Sequence, residues 1–445
     1  MNRWRSLFLS LAAIAFFLGL APSAWAFCGF YVAKADTSLY NQASQVIIAR
    51  DGDRTVLTMA NDYQGEVTDF AMVVPVPTVL AEEQVNVGEP AIVERLDAFS
   101  APRLVEYFDP DPCRPPLVYA PAADALLQRA NNAVAEQAED EVLGVTVESS
   151  FTVGEYDIVI LSARESDGLE TWLRQNNYRI PPGASELLRP YIRQGMKFFV
   201  AKVNLEEFDR AGFQSLRPLQ MAYESPRFML PIRLGMINAQ AAQDLVVYII
   251  TPEGQAELTN YRTVNVPSDA EIPVFVKEEF GDFYQAMFQT AYEREGRNVA
   301  FLEYAWNMAG CDPCAADPLS PEELRQAGVF WLSQPSDRFR PGPTSRAFVT
   351  RLHVRYTRDK FPEDLIFQST SNQQFFQGRY ILRHPYTGEM DCPAGEAYQR
   401  SLPERFEQEA QTLARLTGWD ISEIRAKLPE ATAIAPEPWW RRLWD

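Results

Sequence analysis

The chain has 445 residues, 47% of them hydrophobic, with 60 Asp and Glu against 41 Lys and Arg and a formal net charge of -19. That length supports two or three domains with sizeable cores. An acidic surface of this size repels nucleic acid and anionic membrane, so neither is expected as a partner, and the charge reads most simply as a solubility device.

The chain opens MNRWRSLFLSLAAIAFFLGLAPSAWAFCGF, where Arg3 and Arg5 precede an apolar run from Leu7 to Leu20. Ala24 and Ala26 supply the small side chains that a signal peptidase requires just before its cleavage point. Residues 1-26 are therefore read as a signal peptide, and the mature chain begins at Phe27. The bulk of Phe27 before Cys28 argues against lipid attachment at that cysteine. The expected location is extracytoplasmic, periplasmic or secreted. In DLVVYIITPEG a turn signal follows about seven apolar residues, and no later stretch is longer, so no integral membrane segment is expected once the signal is removed.

QVIIARDGDRTVLTMANDY predicts a hairpin with Asp51-Gly52 in the tight turn, and EVTDFAMVVPVP predicts a third strand beside it. In AIVERLDAFSAPRLVEYF, Ile92, Leu96 and Phe99 have helical spacing up to an interruption near Pro102. FDPDPCRPP reads as irregular, because its prolines remove backbone donors and restrict the preceding residues, and Cys113 is placed to anchor it. DALLQRANNAVAEQAEDEV reads as an exposed helix or connector. VTVESSFTVGEYDIVILSA predicts two strands across Gly154, GLETWLRQNNY a helix, and PPGASELLRPYIRQGMKFFVAKVN a turn, a short helix and a strand from Met196 to Val203. Together these make a compact α+β layer.

Between residues 213 and 276, LQMAYE, RFMLPIRLGM, DLVVYIIT, YRTVNVP and IPVFV predict a meander or sandwich-like sheet. EEFGDFYQAMFQTAYEREG reads as a helix, NVAFLEYAWNMAG as a second one ending at Gly310, and PEELRQAG as a third that starts after Ser320. RAFVTRLHVRYTRD, DLIFQST and GRYILRHPY return to strand. In the first of these Leu352, Val354 and Tyr356 face one side, while Arg351, His353 and Arg355 face the other and read as a solvated face. Helices in ERFEQEAQTLARLTG and DISEIRAKL follow, then a tail containing WWRRLW that is expected to dock on its own protein.

Cys28, Cys113, Cys311, Cys314 and Cys392 are all disulfide candidates in an oxidising compartment. Chain order suggests an amino-terminal pair and a carboxy-terminal cluster, and the pairing itself stays open. Cys311-Asp-Pro-Cys314 has the spacing of a redox dithiol. Its helical pattern precedes the pair, however, Pro318 and Pro321 delay the next helix, and Asp312 disfavours a thiolate. The favoured reading is a structural bridge, within the pair or from one member to Cys392. The alternatives are a redox pair, Cys311 with Cys314, and a zinc site built from Cys311, Cys314, His384 and Cys392.

The two histidines, His353 and His384, stand in neither a nucleophile elbow nor an HExxH pattern. Asp109 and Asp111 lack the regular ligand loop of a calcium site. The glycines form neither GxxxxGK[ST] nor GxGxxG, which rejects a kinase or a dehydrogenase. No catalytic residue is assigned, no cofactor is expected, and an enzyme is the less favoured class.

The ordered set FCGFYV, FAMVVPVP, YDIVILSA with LETWLRQNNYRIP, DLVVYIITP and CDPCAADPLSPEEL resembles an uncharacterised bacterial family of secreted or envelope-associated proteins, catalogued as a domain of unknown function. The resemblance runs from Cys28 to Phe367. It implies an extracytoplasmic location and cysteines that are family features, and it implies no activity, substrate or catalytic set.

The expected fold is α+β, a sheet-rich multidomain protein with antiparallel or mixed β-sheets and peripheral helices. After the signal peptide at 1-26, the expected units are an amino-terminal sheet and helical connector at 27-140 and an α+β unit at 141-212. A β-rich unit with a helical end at 213-310 follows, then a disulfide-containing loop, sheet and helices at 311-445. The expected function is that of a periplasmic structural or interaction protein with another envelope protein as partner. A thiol-disulfide oxidoreductase and a zinc-stabilised binding module are the alternatives.

Overall fold

The computed structural model describes residues 30–33, 40–64, 70–114, 145–164, 166–175, 184–204, 206–208, 216–236, 242–310, 318–332 and 346–429. The signal segment, the alanine-rich connector, the CDPC loop and the tryptophan-containing tail lie outside the described residues.

The chain begins with β1 (Phe30–Ala33), β2 (Tyr40–Asp51), β3 (Arg54–Gln64), β4 (Phe70–Val76), β5 (Val85–Val87), helix α1 (Pro90–Ser100) and β6 (Arg103–Phe108). β7 (Val145–Val153), β8 (Tyr156–Ala163), α2 (Ser166–Gln175), α3 (Ala184–Arg193) and β9 (Lys197–Val203) follow. Next come β10 (Leu219–Glu224), β11 (Met229–Leu230), β12 (Gln243–Thr251), β13 (Ala256–Leu258), β14 (Arg262–Asn265) and β15 (Ala270–Ile272). Then α4 (Phe280–Arg294), β16 (Val299–Asn307), α5 (Pro321–Gln326), β17 (Phe348–Tyr356) and β18 (Leu365–Ser369) lead to the last elements. These are β19 (Phe376–Gln377), β20 (Arg379–His384), α6 (Pro393–Thr417) and α7 (Ile421–Ala426).

Two large sheets dominate. One has nine strands in the order β14-β16-β17-β12-β2-β3-β10-β5, with β19 also on β16, and the other has five in the order β1-β4-β9-β8-β7. They stack face to face. Val46 and Ile48 of β2, Leu245, Val247 and Ile249 of β12, and Leu352 and Val354 of β17 meet Met72, Val74, Ile158, Ile160, Phe199 and Ala201 of the smaller sheet.

Helices cover the outer faces. Leu169, Leu173, Leu188 and Tyr191 of α2 and α3 pack on Val73, Leu161 and Phe198. On the far side of the nine-stranded sheet, α1 and α5 bury Ile92, Leu96, Phe99 and Leu324 against Ile47, Tyr248 and Val349, while α4, α6 and α7 lie over Val299 and Phe301. The layers thus run helices, sheet, sheet, helices: an α+β, sheet-rich multidomain fold with mixed and antiparallel sheets and peripheral helices.

The two-residue turn between β2 and β3 pairs Asp51 with Arg54, and Gly52 supplies the positive φ of 60° that the turn needs. α5 is capped by Ser320, whose hydroxyl accepts from the Glu323 N–H while the Glu323 carboxylate accepts from the Ser320 N–H.

Several expectations are corrected. NVAFLEYAW is strand β16, not a helix; both its faces are covered, and an almost continuous apolar run carries no period that separates the two. β4 does not extend the β2–β3 hairpin but pairs with β1 and β9 in the other sheet. The extended segments of 213–276 form no single meander: β12 pairs in parallel with β2, β14 in parallel with β16, and β15 in parallel with β20. Of IPVFV only Ile272 is in a strand, and Val274–Lys277 is a short 3-10 turn. The nine-stranded sheet collects strands from segments 27-140, 213-310 and 311-445.

Gly328, which ends α5 with φ 96°, lies so close to β3 that an added Cβ would stand 2.7 Å from Val56 Cγ1, whereas at Gly52 nothing lies within 4 Å. Gly328→Ala is expected to lower the unfolding free energy by about 2–4 kcal/mol, strain and overpacking together, and Gly52→Ala by only about 1–2 kcal/mol. Denaturant unfolding of the two variants compares them, and equal losses would show that β3 yields to the added methyl group.

Candidate functional site

The strand alternation of β17 sends Leu352, Val354 and Tyr356 into the core between the sheets and Arg351, His353 and Arg355 toward the helices. That polar face is not solvated. Arg351 and His353 are 7% and 8% exposed, because α1 and α4 lie over them. Buried cations require partner acids, and three neighbouring elements provide carboxylates, two of them buried.

The central acid is Glu303 of β16. The register of β16 against β17 shifts between Leu302 and Tyr304, and this bulge turns Glu303 and Tyr304 in succession to the helical side. Arg351 Nε donates to Glu303 Oε2 at 2.6 Å, and His353 Nδ1 lies 2.8 Å from Glu303 Oε1. The Tyr284 hydroxyl of α4 donates to the same Oε1. The other imidazole nitrogen, Nε2, stands 3.1 Å from Asp244 Oδ1 at the start of β12. Arg355 grips Asp244 with two bonds, Nε to Oδ1 at 2.8 Å and Nη2 to Oδ2 at 2.7 Å. At the other end, Arg351 Nη1 donates to Asp97 Oδ1 of α1 at 2.7 Å, and the Tyr248 hydroxyl donates to that oxygen too.

The result is a ladder, Asp97, Arg351, Glu303, His353, Asp244, Arg355, in which three carboxylates alternate with three cations. Aromatic rings line it: Phe288 stacks on His353 with centroids 3.9 Å apart, and the Arg351 guanidinium lies 5.2 Å from the Tyr248 ring centre.

Burial opposes charge on His353, but the Glu303 carboxylate and the bonds to Asp244 and Glu303 prevail and raise its pKa to about 9. Burial likewise opposes ionisation of Glu303, and Arg351 and His353 overcome it, lowering its pKa to about 2. Asp244 is also lowered, against burial, by His353 and Arg355. At neutral pH the imidazole is therefore a cation clamped between two carboxylates. It has no lone pair with which to take a proton, and every oxygen of Glu303 is committed within the protein. The ladder ties together α1, β12, β16 and β17 through paired charges.

The cysteines lie elsewhere. Cys113 and Cys392 are joined in a disulfide across a sequence separation of 279. Cys28, Cys311 and Cys314 lie outside the described residues. This pairing replaces both the expected amino-terminal pair and the bridge from Cys392 to the CDPC loop. Its cause is topological: β6 and β20 pair in parallel, with Phe108 opposite His384, so the segments that follow them leave the same end of a sheet side by side.

With its sulfur bonded to Cys113, Cys392 is withdrawn from the zinc set expected with Cys311, Cys314 and His384. His384 itself lies 2.8 Å from Glu106 Oε2 and stacks on Phe108. Among the described residues no group of three His, Cys, Asp or Glu side chains has a metal-holding arrangement.

Asp97, Asp244, Tyr284 and Glu303 were not singled out by the sequence reading. A usable signal existed: a cation at every second position of a strand between covered faces demands acids on the adjoining elements, and Glu303 and Asp244 are charges inside or at the edge of apolar runs.

Fold and bridge together define an α+β protein of two stacked sheets, clasped by a disulfide near its carboxy-terminal helices. A family model described as an uncharacterized protein conserved in bacteria (DUF2330) matches residues 22–368, and the chain belongs to that family. No curated protein and no solved structure matches the chain.

Glu303→Gln leaves Arg351 and His353 buried with one carboxylate fewer and is expected to cost about 3–5 kcal/mol of stability in denaturant unfolding at pH 7. The pH profile follows from the same groups. His353, raised to about 9 from 6.5, contributes stability that is complete below pH 6.5 and lost as pH rises through 9. Glu303, lowered to about 2 from 4.5, contributes stability that is present above pH 4.5 and lost as pH falls toward 2. His353→Gln is expected to flatten the alkaline limb of the unfolding profile and leave the acid limb in place. An unchanged alkaline limb would remove His353 from the ladder as a cation.

Proposed function

We propose that the protein is an extracytoplasmic structural or interaction protein, held together by oxidised cysteines, that works against another protein of the cell envelope rather than by turning over a substrate. The observation that carries this reading is the Cys113–Cys392 bridge. It joins a segment inside the family match to one beyond it, across a sequence separation of 279, and such bridges persist in oxidising compartments. The amino-terminal charge, apolar run and small-residue cleavage pattern of residues 1–26 support the same compartment. The ladder supports a structural role, since its ionisable groups neutralise one another inside the fold.

The test is to express the chain with its own leader, block free thiols before lysis, and map cysteine-containing peptides by mass spectrometry without reductant. The expected product begins at Phe27 and contains the Cys113–Cys392 cross-linked peptide at full occupancy. Alkylation of both Cys113 and Cys392 in the fresh protein would overturn the reading. Cys113→Ser is expected to lower stability by about 2–4 kcal/mol through the freed chain entropy of the unfolded state.

A further inference from the structure

Beside the disulfide lies a second charged cluster that the ladder does not use. Asp109, on the irregular segment that leads from β6 to Cys113, accepts from Arg405 Nη1 at 2.5 Å and from the Tyr398 hydroxyl at 2.6 Å, both from α6. Arg383 of β20 donates to Glu271 of β15 at 2.6 Å and stands 3.8 Å from Asp109. These four charges balance: Asp109 and Glu271 against Arg383 and Arg405.

Glu409, one helical turn after Arg405, is a fifth ionisable group on the same side of α6, and it is only 3% exposed. The other helices on α6 direct their charges elsewhere. Arg294 of α4 donates to the Arg415 carbonyl, and Arg425 of α7 pairs with Glu407.

The contact between Glu409 and Arg405 is a near miss. Glu409 Oε1 stands 3.5 Å from Arg405 Nε, yet Oε1, Nε and Nη2 are all shielded from solvent without a hydrogen bond. Nε and Nη2 form the edge of a guanidinium that takes a carboxylate in two parallel bonds. The Glu409 carboxyl group therefore stands within ion-pair reach of that edge without completing either bond. An ionised Glu409 would also add a third carboxylate to a cluster that holds two guanidinium groups.

We propose that Glu409 is a proton-operated release for the clasp between α6 and the Cys113 segment. With a proton on Glu409, Arg405 belongs to Asp109 and the segment is held at the mouth of α6. Loss of the proton puts a second carboxylate beside Arg405, and its like-charge repulsion with Asp109 weakens the hold on the segment while the disulfide keeps it tethered. Burial, with Glu271 and Asp109 adding to it and Arg405 and Arg383 opposing, raises the Glu409 pKa to about 7. A raised carboxylate pKa makes the clasp firmest below pH 4.5 and progressively weaker as pH rises through 7. The inference goes beyond the proposed function and does not depend on the compartment, only on the oxidised bridge.

Amide hydrogen exchange on the purified, oxidised full chain tests it. The Asp109 N–H, bonded to the His384 carbonyl at 3.0 Å, reports the clasp from within the segment. After correction for the intrinsic rate, protection of the peptide spanning residues 109–114 is expected to fall about tenfold or more between pH 5 and pH 8 in the wild type. In Glu409→Gln, a permanent mimic of the protonated state, it is expected to stay high and flat. Protection independent of pH in the wild type, or an undiminished fall in Glu409→Gln, would overturn the proposal. Should that variant not fold, carboxyl carbon NMR of glutamate-labelled wild type decides: one glutamate titrating near pH 7 supports the release, and none above about pH 5 rejects it.

Discussion

The constraint on which the rest of the nine-stranded sheet depends is the burial of Arg351 and His353 under helices, with Arg355 half-buried beside them. This row of cations is matched by three carboxylates, each from a different element: Asp97 of α1, Glu303 of β16 and Asp244 of β12. The ladder therefore settles register as well as charge. A slip of β17 by one residue would drive Arg351 and His353 between the sheets and push Leu352 and Val354 among the carboxylates, so pairings other than the observed one are penalised on both faces at once. The bulge at Glu303 belongs to the same constraint, since strict alternation along β16 cannot turn both Glu303 and Tyr304 to the helical side.

The helices over the sheet are placed by the same side chains. α4 presents Tyr284 to Glu303, Phe288 to the His353 ring and Gln289 to Arg355, three contacts spaced along one helical face. α1 meets the opposite end through Asp97 and through Phe99, which packs edge-on against Tyr304. A comparable node fastens the smaller sheet's helices: the Tyr191 hydroxyl of α3 donates to Asp364, which also accepts from the Ile232 N–H. Apolar area supplies the attraction between layers, and these satisfied polar nodes decide which element sits where.

What the sequence disclosed follows from how local each cause is. The β2–β3 turn and the α5 cap are dictated by neighbours within four residues, Asp51-Gly52 in one case and Ser320 with Glu323 in the other, and both are readable. The alternation of β17 is readable too, but not what covers it, because the helices that bury Arg351 and His353 come from segments far away in the chain. β16 fails for another reason: in a strand covered on both sides the period that distinguishes strand from helix is erased, and Glu303 looks like the polar residue of a helix. The Cys113–Cys392 pairing is beyond local reading, since it follows from the parallel pairing of β6 with β20.

The same pairing bears on where the family match ends. The ladder lies wholly within residues 22–368, whereas β20, α6 and Cys392 come after it. That later segment is nevertheless not a separable appendage. β20 is the middle strand between β15 and β6, and its Tyr380 and Leu382 share a core with Phe283, Met287 and Phe288 of α4. Phe288 is the ring stacked on His353. The carboxy-terminal strand and helices therefore support the back of the helix whose front closes the ladder, and the disulfide holds the end of β6 to the start of α6 where that support begins. Interior packing transmits displacement rather than absorbing it, so the clasp at Cys113 and the charges at Glu303 belong to one mechanical unit.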